Sequence, residues 1–281
     1  MSLKRITILT VFLLLFSLTS QVGYAAELRV SGASTIQPIL EEVAQLYQKE
    51  HGFEIIVQGG GSSLGVDNTT SGESDIGAVS RSLTEEEKEE VEYITIGLDA
   101  LAVIINSQNG IEEINKQQLI DIYTERITDW AEFGLESRDI VLISKMTGRS
   151  TLDLFEGYTD LESPSRKGAS ASQRISEQAH EIGSNLEMIT VVGGIPNSIG
   201  YVSLGTASVL QQQGAPIKIL PLDGVDYTER NIVRGDYPII RELNLVYQTK
   251  TDEIADFIEF LMSDIGREII EDEGFIFAEE E

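Results

Sequence analysis

Three times in this chain a run of apolar, strand-like residues stops at a turn of small residues, and a helical pattern starts at once. The turns are Ser31-Gly32-Ala33-Ser34-Thr35, Gly59-Gly60-Gly61-Ser62-Ser63 and Thr147-Gly148-Arg149-Ser150-Thr151. A helix start leaves backbone N–H groups unpaired and carries a partial positive charge, and glycine lets an anion approach the backbone closely. Three such starts converging on one point would form a cage for a small oxyanion. Each turn also has a plainer use. Ser34 and Thr35 suit capping of the first helix. Three successive glycines are costly to order and need a backbone reason, though a tight turn is one. Arg149 beside Ser150 and Thr151 at a helix start suits bidentate recognition of an oxyanion, whereas most arginines in loops are solvated. Lys145 adds positive charge at a strand end, but a lone lysine is usually solvated as well.

The pattern between the turns predicts an α/β fold. Strands are expected over 27–31, 54–58, 75–80, 93–97 and 100–105, and Ile36, Leu40, Val43, Ala44 and Tyr47 share one face of the first helix. Pro38 falls where a first helical turn tolerates proline. A short helix follows the glycines over 63–70, and Thr84 with Glu87 forms a capping box. Farther on, helices are expected over 116–123, 151–158, through Ile175 and Ala179, and over 185–192 and 206–213. Strands are expected over 140–144, 200–203, 217–220 and 237–247, and two amphipathic helices, 254–262 and 265–270, close the chain. Alternation of strands and helices is the signature of sheets covered by helices.

Composition narrows the partners. The chain carries 20 basic and 47 acidic residues, a formal charge of −27. Lys4 and Arg5, the apolar run 6–18 and the small residues Gly23, Ala25 and Ala26 predict a secretory signal over 1–26; the apolar core is short for a membrane span. Without Lys4 and Arg5 the charge is −29. Such a surface repels nucleic acid and anionic membrane. It also repels a free anion at long range, but salt screens that over ~8–10 Å, and a buried site can reverse it locally. There is no cysteine to carry a disulfide or a lipid tether. The expected location is therefore the periplasm, as an untethered protein.

Enzyme chemistry finds little support. The two histidines, His51 and His180, lie in segments that read as surface, no nucleophile-elbow, zinc-protease or phosphate-loop pattern occurs, and Asp75 has no visible catalytic partner. No cofactor is implied.

Residues 31–38, 58–66 and 74–81, taken in order, resemble the phosphate-binding proteins of high-affinity phosphate ABC importers, and residues 199–202 and 237–241 look like that family's later landmarks. The resemblance spans essentially the whole chain after the signal. It implies a type II periplasmic binding fold, two lobes joined by two crossover strands, with lobe 1 formed by 27–103 and 240–281 and lobe 2 by 104–239. It further implies a monomer that closes on inorganic phosphate and docks on an inner-membrane ABC permease. The ligand-binding residues it implies are Ser34, Thr35, Ser62, Ser80, Arg81, Arg149, Ser150 and Thr151. Lys145 stands where many members have arginine, and Ser80 where some have an aspartate that accepts a hydrogen bond from protonated phosphate. A site without that carboxylate argues less strongly against sulfate, molybdate or tungstate, although a serine hydroxyl also accepts. An exported sensor or adhesion protein reusing the fold is the remaining alternative.

Overall fold

A computed structural model describes residues 27–166, 168 and 174–279; the expected signal, six residues in and after the serine-rich loop and the last two acidic residues lie outside them. β1 (Glu27–Gly32) leads through a turn into α1 (Gln37–His51), which buries Ile39, Leu40, Val43, Ala44 and Tyr47 as its periodicity predicts. β2 (Glu54–Gly59), α2 (Ser62–Ser71) and β3 (Ile76–Val79) follow. The three strands run parallel in the order β2-β1-β3. α3 (Glu85–Glu90) opens with the expected Thr84–Glu87 capping box. Ser34 and Thr35, by contrast, do not cap α1. The helix starts later, with Ile36 at the cap position and no side-chain cap, which leaves both hydroxyls free for other partners.

The two apolar runs expected over 93–97 and 100–105 are one strand, β4 (Glu92–Asn106), with a bulge between Thr95 and Gly97. Beyond it come α4 (Lys116–Tyr123), a single 3₁₀ turn (Trp130–Phe133), β5 (Val141–Lys145) and α5 (Ser150–Thr159). The helix expected through Ile175 and Ala179 does not form. Its amides are committed elsewhere, Ile175 N–H to the Glu162 carbonyl and Ser176 N–H to the Tyr123 carbonyl, and the segment feeds β6 (His180–Ile182), which pairs in parallel with β5. α6 (Asn185–Gly194), β7 (Ser198–Ser203), α7 (Leu204–Gln212), β8 (Ile217–Leu220) and α8 (Glu229–Val233) complete this part. β9 (Ile240–Tyr247) starts three residues later than expected, past Pro238, whose nitrogen has no hydrogen to give a ladder. α9 (Asp252–Leu261), α10 (Asp264–Asp272) and the short β10 (Ile276–Phe277) end the described chain.

The strands connect in the order β2-β1-β3-β9-β4-β7-β5-β6, with β8 and β10 also paired to β4. β4 joins two environments. Its first half, Glu92 to Ala100, pairs with β9; its second half pairs with β7 and β8. Two cores form accordingly. One gathers α1, α9 and α10 against β1, β3 and the central part of β9; the other gathers α4, α5 and α6 against the far half of β4, β5 and β7. Each buried leucine, isoleucine or phenylalanine contributes roughly 1.5–3 kcal/mol before the cost of ordering the chain, and the two cores lie on either side of the strand crossing.

Candidate functional site

At the strand crossing, Asp99 of β4 lies directly opposite Arg241 of β9. Both side chains are buried. Arg241 donates to Asp99 Oδ2 from Nε at 2.9 Å and from Nη2 at 2.5 Å. Asp99 also accepts from the Ser203 hydroxyl at 2.8 Å and from Gly205 N–H at 3.0 Å. A carboxylate with that many donors is fully compensated. The rest of the guanidinium reaches outward, Nη1 to Thr151 Oγ1 at 3.2 Å and Nη2 to Thr35 Oγ1 at 3.3 Å. One arginine thus braces two hydroxyls 116 positions apart in sequence.

Those hydroxyls border a narrow cavity between the two cores. From the first side come Ala33, Ser34, Thr35, Gly61 and Ser80; from the second come Lys145, Arg149, Ser150, Thr151, Gly183 and Asn185. The sides touch. Ser80 and Ser150 share a hydroxyl–hydroxyl hydrogen bond of 2.6 Å, and Asn185 Nδ2 donates to Thr35 Oγ1 at 3.2 Å. Gly61, at φ 132°, faces the Gly148 carbonyl so closely that a Cβ there would sit 2.5 Å from its oxygen. Glycine is therefore required both for the dihedral and for the approach. Gly32 (φ 139°) plays the matching part below: its carbonyl accepts from both Gly60 and Gly61 N–H, which folds the glycine run over the end of β1.

The charge in this cavity is one-sided. No carboxylate is among its described lining residues, whereas Lys145 and Arg149 both are. Arg149 enters no ion pair among the described residues. Lys145 is 1% exposed and donates from Nζ to two neutral acceptors, the Ser184 carbonyl at 2.5 Å and Asn185 Oδ1 at 3.4 Å. Burial, with Arg241 and Arg149 adding repulsion, pushes its ammonium down to about 7, and Glu187 only partly offsets this. Larger hollows occur beside Trp130 and beside His180, but neither brings two cations together with hydroxyl donors. Chemistry, not volume, marks the site.

Of the eight residues singled out in the sequence, six line this cavity: Ser34, Thr35, Ser80, Arg149, Ser150 and Thr151. Ser62 stands behind it. Its buried hydroxyl accepts from Ser80 N–H at 3.0 Å and so positions that residue. Arg81 points elsewhere. It grips Glu87 in a bidentate pair, both bonds 2.7 Å, with Asp153 3.9 Å from its Nε. The hydrogen bond to Glu87 raises the guanidinium further, and Arg81 holds the Glu87 carboxyl below the usual range. Apart from Ala33 and Gly61, which belong to the turns themselves, three lining residues were not assigned to it from sequence, Lys145, Gly183 and Asn185, along with the Asp99–Arg241 brace. A signal existed for two of them: Gly183-Ser184-Asn185 is another small-residue turn opening a helix, with Ser184 capping α6.

Comparison with known proteins supplies the class. The chain belongs to the PBP superfamily, whose domain model matches residues 19–264. More particular likenesses lie within it. A Clostridium perfringens protein solved with bound phosphate and assigned as a phosphate ABC transporter substrate-binding protein is 27% identical, with a TM-score of 0.78 over 90% of this chain and all of that one. An ABC-type phosphate transport receptor of Vibrio cholerae is 26% identical, with a TM-score of 0.71 over 89% of this chain and all of that one. The phosphate-binding protein PstS of Bacillus subtilis is 26% identical over 260 residues, 90% of this chain and 81% of its own length. These neighbours carry the two-lobed fold that the two cores and the shared strands describe.

Proposed function

We propose that this chain is an exported solute-binding protein that captures inorganic phosphate between its lobes and delivers it to an ABC import permease. The observation that carries the reading is the pair of cations without carboxylate partners, Lys145 and Arg149, in a cavity ringed by hydroxyls. A cation without a counter-ion is costly when buried, as Lys145 is, and less so when half-buried, as Arg149 is; a doubly charged oxyanion pairs both at once. Ser34, Thr35, Ser80, Ser150 and Thr151 supply neutral donors, and Ser62 orients Ser80. The relatives named for phosphate binding and transport support the choice of anion. Lobe 1 is then 27–103 with 240–281 and lobe 2 is 104–239, closing as Gly61 meets Gly148. The protein works as a periplasmic monomer without catalytic turnover.

Calorimetric titration of the dialysed protein with phosphate, sulfate, molybdate and tungstate at pH 6 and pH 8.5 tests this. Tight binding of phosphate alone is the expected result, with the Ser80 hydroxyl accepting a hydrogen bond from the ligand's hydroxyl in place of a carboxylate. Preference for sulfate, molybdate or tungstate keeps the site and changes the substrate. No heat with any of the four, from folded protein free of carried-over ligand, rejects the transport reading.

A further inference from the structure

We propose that Lys145 takes up a proton as the anion enters, so that phosphate capture and protonation of this buried lysine are one coupled event. This rests on the reading of the cavity as a phosphate site. Lys145 closes β5 at the cavity wall, 1% exposed, and its Nζ meets only the Ser184 carbonyl and Asn185 Oδ1 as hydrogen-bond acceptors. An ammonium has three donors, so these neutral acceptors neither saturate nor neutralise it. Lys145 enters no ion pair among the described residues.

Every neighbouring element bears on the charge. From β9 comes Arg241, whose charge Asp99 of β4 already offsets. Arg149, ahead of α5, adds a second repulsive cation. Glu187, in the first turn of α6, favours the ammonium, but its carboxylate is held by Gly183 N–H at 2.8 Å. On β7 the Tyr201 hydroxyl contacts Ser144 Oγ at 2.7 Å and the Lys145 amide at 3.3 Å, and burial pushes its ionisation up, so it stays neutral. Glu181 of β6 accepts instead from Ser163 and Ser165. Ser184, Asn185 and Tyr201, all on the same side of the cavity as Lys145, keep it buried whether or not the lobes meet, and without an anion it gives up its proton near neutrality. A bound oxyanion supplies the missing counter-charge and returns the group toward its ordinary value of about 10.4, with the proton coming from solvent.

The sign follows from linkage. Between about pH 7 and the restored value, the anion-bound protein holds more protons than the empty one. Affinity for the phosphate dianion falls as pH rises through that window. Arginine cannot deprotonate there, so Lys145→Arg keeps the charge and removes the titration.

The test is calorimetric titration of the whole protein with inorganic phosphate at about pH 8.5, where the ligand is almost wholly dianion, in buffers of different ionisation enthalpy. The wild-type protein should take up close to one proton per phosphate bound, and Lys145→Arg should take up almost none. Binding without uptake in the wild type overturns the coupling, as does full uptake retained in Lys145→Arg, which would place the proton on the ligand. Failure to bind phosphate at all would instead reject the function on which the coupling rests. If the variant does not fold, ε-¹³C lysine NMR of the wild type decides. One lysine titrating near pH 7 in the empty protein, and no longer doing so with phosphate, is expected; ordinary titration of every lysine overturns the proposal.

Discussion

The strand crossing and the cavity wall both bury positive charge, and they treat it in opposite ways. At the crossing, Arg241 has Asp99 directly across the ladder, and Asp99 in turn has Ser203 and Gly205. At the wall, Lys145 and Arg149 have hydroxyls, carbonyls and one amide around them but no carboxylate among the lining residues. A fully compensated buried ion pair gains little net stability, but it holds two strands in one register. An uncompensated one is unstable alone and gains whatever a counter-ion brings. On the proposed function, the crossing needs nothing from the ligand, whereas the wall is completed by it.

The sharpest way to break the contrast is to convert the first arrangement into the second. Asp99→Ala leaves Arg241 buried with no carboxylate, beside Thr35 and Thr151. Loss of one partner of a buried pair costs about 3–5 kcal/mol. Denaturant unfolding of the ligand-free protein should show a loss of that size. Phosphate should restore part of it, because the uncompensated guanidinium, bonded to Thr35 and Thr151 at the lining, adds a third cation beside the cavity; a loss under about 1 kcal/mol would mean that Arg241 finds other compensation.

The converse change acts on the wall. Arg149→Ala removes an unpaired cation and its repulsion on Lys145, so the ligand-free protein should be at least as stable as the wild type, by up to about 1 kcal/mol. Affinity should fall about ten- to hundred-fold, the worth of a charge-assisted hydrogen bond of roughly 1.5–3 kcal/mol. Titration and unfolding measured on the same variant separate the two effects. A large stability loss with unchanged affinity would assign Arg149 to structure and leave Lys145 alone at the wall.

Much of this contrast could be read from the sequence, but not which charge belongs to which region. Local rules placed the elements well in short, regular segments: the helix over Lys116–Tyr123, the strand Ile217–Leu220, and the Thr84–Glu87 box. They failed where a polar residue inside an apolar run looked like a break. Asp99 divided one strand into two expected ones, because its partner sits 142 residues away and only the folded ladder brings them together. The same limit applies to Lys145. Its burial depends on α6 and β7 closing over the end of β5, and no pattern near residue 145 encodes that. The helix expected through Ile175 failed because amide partners supplied by Tyr123 and Glu162 outweigh a weak local preference.

Arg81 and Arg149 offer the finest form of the comparison. Both follow small-residue segments in the sequence and both were expected at the anion. In the fold, Arg81 already holds Glu87 by two 2.7 Å bonds and leans toward Asp153, away from the cavity lining, while Arg149 has no such partner. Glu87 has a second commitment, accepting from Thr84 N–H at 2.9 Å in the capping box. Arg81→Ala should therefore shift phosphate affinity less than about three-fold and cost about 1 kcal/mol or less in stability, as partly exposed pairs do. The cost should depend on pH. Glu87 is held below its ordinary range, so the pair's contribution is present above the unfolded carboxylate's value and is lost as pH falls through the lowered one. Stability of wild type and Arg81→Ala should converge in acid and separate toward neutrality. An affinity loss in Arg81→Ala as large as in Arg149→Ala would show that the Glu87 pair opens when the anion binds, and the division between compensated and waiting cations would then move with the ligand.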